Sequence, residues 1–174
     1  MFTKNKKRII KYIASWIPSI CIMVIIFRFS ASVADDSSKT SISLLEIVID
    51  IVKQLTGKNI VEGSATYGFI HHIVRKMGHF LEYMALGCTL VLPFAVIFIE
   101  SNIIRFQNIK IFLCSELFAA LYACTDEFHQ LFVEGRDGNI VDVGIDSMGA
   151  LVGICVGFVF WWIIKRQKQK SISC

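Results

Sequence analysis

The chain has 174 residues, 55% of them hydrophobic and only 18% charged, with 14 Phe and a formal net charge of +4. Soluble domains carry about a quarter charged residues, and here the apolar excess gathers into runs of about 20 residues, enough to cross a bilayer core of roughly 30 Å. The composition therefore excludes an ordinary soluble domain. The modest positive charge sits at the two ends, where membrane topology accounts for it better than nucleic acid does. Five cysteines (Cys21, Cys88, Cys114, Cys124 and Cys155) lie inside apolar runs without CxxC spacing, so neither a disulfide framework nor a zinc ribbon is indicated.

In chain order, Lys4, Lys6, Lys7, Arg8 and Lys11 form a basic flank expected on the cytoplasmic side. The first span follows at about 9–29. A signal peptide has an apolar core of only about 7–15 residues, so this run reads as an uncleaved helix, with Pro18 as a candidate kink. Residues 30–77 form an outer segment. Its serine-rich part, Ala31 to Ser43, reads as a loop. From Ile42 to Leu55, polar residues recur at helical spacing among Ile, Leu and Val, which predicts an amphipathic interfacial helix stopped by Thr56-Gly57-Lys58-Asn59. Tyr67 to Met77 reads as a further helical stretch, with His71-His72 as an interfacial pair.

The second span is expected at about 78–99, followed by a cytoplasmic connection carrying Arg105 and Lys110. The third is expected at about 111–130, with Glu116 as a helix–helix hydrogen-bonding group. Phe132 to Asn139 forms a tight outer loop. The fourth span, about 140–164, carries Gly149, Gly153 and Gly157 at spacing four, a small-residue packing face. Trp161 and Trp162 mark its inner interface, before Lys165, Arg166, Lys168 and Lys170. The expected architecture is one all-α membrane domain over 1–174, with four spans and both termini cytoplasmic.

That topology makes the ionisable residues converge. Counted from Lys110, Asp126 lies about 24 Å and His129 about 28 Å along the third span. His79 and Glu82, and Asp142 and Asp146, fall within roughly 10 Å of the same end on two other spans. Arg28, Arg75, Lys76 and Arg136 also flank spans on that outer side, against the usual cation bias. An acidic cluster, an anionic ligand or both would favour them there.

Four blocks carry a family resemblance: Phe27-x-Phe29-Ser30; Arg75-Lys76-x-Gly78-His79-Phe80-x-Glu82-Tyr83-x-x-Leu86-Gly87; Asp126-Glu127-x-His129-Gln130-x-Phe132-Val133-x-Gly135-Arg136; and Asp142-Val143-x-x-Asp146-x-x-Gly149-Ala150. In order, spacing and placement on all four spans the chain resembles the VanZ family of bacterial membrane proteins. Glu134 stands where the family's loop is expected to carry proline, and Asp146 where many relatives carry Asn. The resemblance implies low-level resistance to glycopeptide antibiotics, teicoplanin more than vancomycin. It names a phenotype and not a reaction.

The residues themselves support several readings. His79 and Glu82 share a helix face at i,i+3, as do Asp126 and His129. With Asp142 nearby, the two pairs are the candidate catalytic set, and His79, Glu82, Asp126 and His129 are the candidate ligands for a divalent metal such as Zn²⁺, Mn²⁺ or Fe²⁺. Such a site would act on a lipid-linked phosphate or ester, with a histidine as base in a metal-free variant. Arg75, Lys76, Glu127, Gln130, Arg136 and Asp146 are the candidate substrate contacts. A second reading is binding without chemistry, to a membrane lipid, a lipid-linked wall precursor or the lipoglycopeptide itself. Transport fits poorly without internal repeats unless the protein forms an oligomer. The plainest alternative is that the His–carboxylate pairs are buried ion pairs that lock helices together.

Overall fold

The computed structural model describes residues 2–31, 34–57, 59–100, 107–134, 136 and 138–172. They form five helices: α1 (Phe2–Ala31), α2 (Ala34–Thr56), α3 (Ala65–Glu100), α4 (Gln107–Gln130) and α5 (Ile140–Ile172). No strand occurs among the described residues. Four helices contain stretches long and apolar enough to cross a membrane: Asn5–Ala31, Ala65–Phe98, Gln107–Gln130 and Ile140–Ile164. The protein is a multi-pass helical membrane protein.

Large apolar side chains point away from the bundle along each of these helices. On α1 they are Ile9, Ile13, Ile17, Ile20 and Val24; on α4 they are Leu113, Leu117, Leu121 and Phe128. Spacing of three, four or seven residues puts each set on one stripe of its helix. A stripe of this kind facing outwards would be costly in water and suits contact with lipid chains.

Helix α3 touches all the other helices, and its most extensive partner is α5. Their chains run in the same direction, as the register shows. Gly149 of α5 lies against the Phe80 carbonyl, Gly153 against that of Met84 and Gly157 against that of Cys88, so both helices advance four residues per contact. From the α3 side, Gly87 meets the Ala150 carbonyl in the same way. A Cβ at any of these four glycines would overlap backbone of the partner helix. The small-residue face read from the sequence is therefore the seam of the bundle, and it lets two backbones approach as membrane helices do in the absence of a hydrophobic driving force. Around the seam, Ile26, Tyr83, Leu86, Leu90, Ala119, Ala123 and Ala150 form the main buried cluster, with Trp16, Phe94 and Phe118 packed against it.

Several boundaries differ from the expected ones. The stretch Ala31 to Ser43 does not form a loop: α2 already begins at Ala34. The apolar spacing of Leu45, Ile49 and Val52 sustains the helix, and each residue added to its N-terminal side closes one more hydrogen bond at a cost of only a few tenths of a kcal/mol in propensity. Its stop is where the sequence indicated. Gly57 adopts φ +69° and donates its N–H to the Lys53 carbonyl at 2.9 Å, a left-handed cap that favours glycine.

The second spanning helix does not begin at Gly78. The stretch from Tyr67 and the apolar run are one helix of 36 residues, about 54 Å long and longer than a bilayer core. Ser64 starts it, its hydroxyl accepting the Tyr67 N–H at 3.2 Å. Pro18 and Pro93 lie inside α1 and α3 without ending either helix. Helix α4 begins at Gln107, four residues before the expected span. Helix α5 continues past Ile164 to Ile172, because hydropathy marks where a helix leaves lipid and not where its hydrogen bonding stops. The expected cytoplasmic Arg105 lies outside the described residues.

The seam predicts a paired result. Gly153→Leu should destabilise the purified protein by about 1–3 kcal/mol, the usual cost of overpacking. Gly144→Ala, where an added Cβ meets nothing within 4 Å, should be neutral or stabilise by up to about 1 kcal/mol. Thermal denaturation in detergent reads both.

Candidate functional site

Because α1 and α4 run against α3 and α5, one end of the bundle holds the C-terminal ends of the first two and the N-terminal turns of the last two. The polar residues gather there, and local capping fixes them. The loop after α4 turns back through Phe132 N–H to the His129 carbonyl (3.0 Å) and Val133 N–H to the Gln130 carbonyl (3.1 Å). Asn139 caps α5, its side-chain oxygen accepting the Val141 N–H at 3.0 Å. Its own N–H donates to Glu127 Oε2 at 2.8 Å, so Glu127 ties α4 to the start of α5. Gly138 passes so close to the Glu127 carbonyl that a Cβ there would meet it at 2.5 Å.

Arg136 is buried and donates from Nη2 to the Phe29 carbonyl at 2.7 Å. That carbonyl lies in the last turn of α1, where backbone acceptors have no intrahelical partner. Burial, aided by nearby Arg75, pushes the Arg136 group below its ordinary pKa, against the pull of Asp126, Glu82 and Glu127; a guanidinium remains charged in proteins. Expected as an anion clamp, Arg136 therefore also fastens α1 to the loop. Deeper in, the Tyr122 hydroxyl donates to the Met23 carbonyl at 2.7 Å, a second tie between α4 and α1.

Among the described residues, a close ion pair joins α3 to α5: Lys76 Nζ lies 2.5 Å from Asp142 Oδ1, with both side chains half-buried. Asp142, expected beside the histidines, does lie in the field of His79, but its direct partner is Lys76. His79 Nδ1 stands 4.0 Å from Glu82 Oε2, too far for a hydrogen bond. On α4, Asp126 Oδ2 accepts from Gln130 Nε2 at 3.2 Å, and the same amide reaches Glu127 Oε1 at 3.3 Å. The His129 ring packs on Phe27 with centroids 4.9 Å apart. Glu82 lies in the field of Asp126 and Arg136. The α3 and α4 residues singled out from the sequence thus share one end of the bundle, together with Asp142 and Asp146 of α5.

Many of their polar atoms nevertheless have no hydrogen-bond partner among the described residues. Buried and without a hydrogen bond are His79 Nδ1, His129 Nδ1, Asp126 Oδ1, Gln130 Oε1, the Tyr83 hydroxyl and both carboxyl oxygens of Asp146. Gln130, Tyr83 and Asp146 have no exposed surface at all. Buried polar groups are nearly always hydrogen-bonded, so this concentration distinguishes the cluster from a set of satisfied ion pairs. Among the described residues, no three His, Cys, Asp or Glu side chains converge as metal ligands. His71 and His72 lie earlier on α3, half-buried and exposed. Glu116 lies nearer the opposite end; its buried Oε2 has no hydrogen-bond partner among the described residues.

Sequence reasoning did not single out Tyr83, Ser30 or Asn139 as parts of the site. Tyr83 sits at its centre, with Asp126, Asp146, Tyr122 and Glu127 as electrostatic neighbours. Ser30 lies beside Asp126. Both stand within the quoted blocks, which was the available signal. Asn139 is legible only as a capping residue before an apolar run.

The family whose model matches the chain is described as VanZ/LLP1, and the match covers residues 15–164. The chain belongs to the VanZ/LLP1 family. No curated protein and no solved structure matches it. The match reaches into all four apolar helices and takes in the whole polar cluster, so in this VanZ-family protein the cluster is part of the domain and not an appended segment.

The Lys76–Asp142 contact predicts coupling between α3 and α5. Lys76→Met and Asp142→Asn should each lower thermal stability, because each leaves a half-buried charge without its partner. The double variant should lose less than the two added together, with a coupling of about 0.5–3 kcal/mol. Additive losses would show that the pair does not couple the helices.

Proposed function

We propose that this VanZ-family protein acts in the cell envelope to lower susceptibility to lipoglycopeptides such as teicoplanin, through its polar cluster. In this reading both termini are cytoplasmic and the cluster faces the outer leaflet, as the basic residues at the two chain ends favour. The observation that carries it is the set of buried, unpartnered polar groups at the end of the bundle where Arg75, Lys76 and Arg136 also lie. Ionisable groups at membrane depth are costly and are kept mainly where they pair, bind or react. A lipid-anchored ligand would approach this end from the leaflet, with its anionic group met by the arginines. The ligand is a membrane lipid, a lipid-linked wall precursor or the lipidated antibiotic itself.

A second reading, hydrolysis or group transfer on a lipid-linked phosphate, is favoured by one feature. His79 and His129 both keep a buried Nδ1 with no hydrogen bond, and an imidazole so placed can serve as a base when a substrate supplies the proton. Asp126 and Glu82 would then orient substrate or imidazole, and Asp142 would act through Lys76.

The test expresses the wild type, His79→Gln, Asp126→Asn and Arg136→Gln in a sensitive Gram-positive host, with membrane levels measured by blot. The wild type should raise the inhibitory concentration of teicoplanin more than that of vancomycin. The well-expressed variants should lose that protection. Catalysis predicts that protection reaches its full value at low expression, whereas capture predicts that it scales with protein level. Protection retained by all three variants would contradict the assignment of function to the cluster.

A further inference from the structure

Apart from the two histidine Nδ1 atoms, the buried groups of the cluster without a hydrogen bond among the described residues are oxygens. Asp146 contributes two, Asp126 and Gln130 one each, and Tyr83 and Ser30 their hydroxyls. Gln130 cannot reverse its amide to relieve this, because its nitrogen already serves the carboxylates of Asp126 and Glu127; the reversed amide would set its oxygen against both. Tyr83 has Asp126 and Asp146 as its first electrostatic neighbours. Asp146 in turn has Glu127, Asp126, Asp142 and Glu82 around it.

The nearby cations are shared with other groups: Lys76 is bound to Asp142, and Arg136, which donates to the α1 backbone at Phe29, also lies in the field of Asp126, Glu82 and Glu127. Of the imidazoles, His129 packs on Phe27 and lies in the field of Asp126, beside which Ser30 also stands, and His79 lies among Arg75, Arg136 and Asp142. The cluster holds Glu82, Asp126, Glu127, Asp142 and Asp146 against Arg75, Lys76 and Arg136, so carboxyl groups outnumber fixed cations. A buried carboxylate without a compensating charge is strongly disfavoured.

We propose that Asp126 and Asp146, with the Gln130 carbonyl and the Tyr83 hydroxyl, bind a small hard cation (Na⁺, Mg²⁺ or Ca²⁺) within the cluster at this end of the bundle. Oxygen-only donor sets select these ions over zinc or copper, which take nitrogen and sulfur ligands readily. Two carboxyl groups and two neutral oxygens make a different site from the histidine–carboxylate set suggested by the sequence. The ion would join α3, α4 and α5 at one point. The proposal rests on the reading of the cluster as a ligand site. Its test uses purified protein and no antibiotic, so failure here and failure of the susceptibility test are separately visible.

The experiment is thermal denaturation of the purified full chain in chelator-treated detergent buffer, titrated separately with NaCl, MgCl₂ and CaCl₂. Choline chloride serves as the ionic-strength control. One of the three ions should raise the melting temperature saturably, by about 5 °C or more once well above its dissociation constant. Asp146→Asn and Asp126→Asn should abolish the shift, and Tyr83→Phe, which keeps the ring, should reduce it. If Asp146→Asn fails to accumulate, Asp126→Asn and calorimetric titration of the wild type with the same ion decide. An ion-specific shift absent from the wild type, or retained in full by a carboxylate variant, would overturn the proposal; the carboxyl groups would then be held neutral by protons.

Discussion

The close parallel approach of α3 and α5 sets the position of everything polar in this protein. Gly149, Gly153 and Gly157 on one helix and Gly87 on the other bring the backbones into contact. Once that register is fixed, the first turns of α5 lie beside the first part of the apolar stretch of α3, which brings Asp142 and Asp146 to the level of Lys76, His79 and Glu82. Helix α4 packs against both and adds Asp126, Glu127 and Gln130. A side chain at any seam glycine would push the helices apart and disperse the cluster, so packing at the seam and chemistry at the end are one constraint.

Within the cluster the groups divide by what they touch. Arg136 on the Phe29 carbonyl, Glu127 on the Asn139 N–H and Lys76 on Asp142 hold the helix ends and the loop in place. Asp126, Asp146, Tyr83, Gln130 and the two histidines keep polar atoms that the fold does not satisfy. The first set explains how an end of a membrane bundle can carry so many charges and still be ordered. The second is costly to the fold, and strain or unsatisfied polarity of this kind is concentrated at functional sites.

Much of this was legible in the sequence. Apolar run length identified the four spanning helices, glycine spacing identified the seam, and helical rise alone predicted that His79, Glu82, Asp126, His129, Asp142 and Asp146 share one end. Helix limits were less legible. Hydropathy reports the membrane and not the hydrogen-bond ladder, so α3 follows a serine cap fourteen residues before Gly78, and α2 takes in a serine-rich stretch that reads as loop. Pairing was not legible at all. Whether Asp142 meets His79 or Lys76 depends on the rotation of α3 about its axis, and a one-dimensional pattern fixes that only to within a face. The central place of Tyr83 was hidden for the same reason, since a tyrosine in an apolar run looks like core packing until its neighbours are known.

The central claim is that the unsatisfied groups of the cluster serve function and not stability. Its most direct test is the thermal stability of purified Asp126→Asn and His79→Gln in ion-depleted buffer, set beside the teicoplanin protection given by the same variants. The account predicts stability equal to or above that of the wild type, since an amide costs no more to bury than an unpaired carboxylate, together with loss of protection. A large drop in stability, with protection falling only as far as the amount of folded protein falls, would contradict it and make the cluster a structural lock.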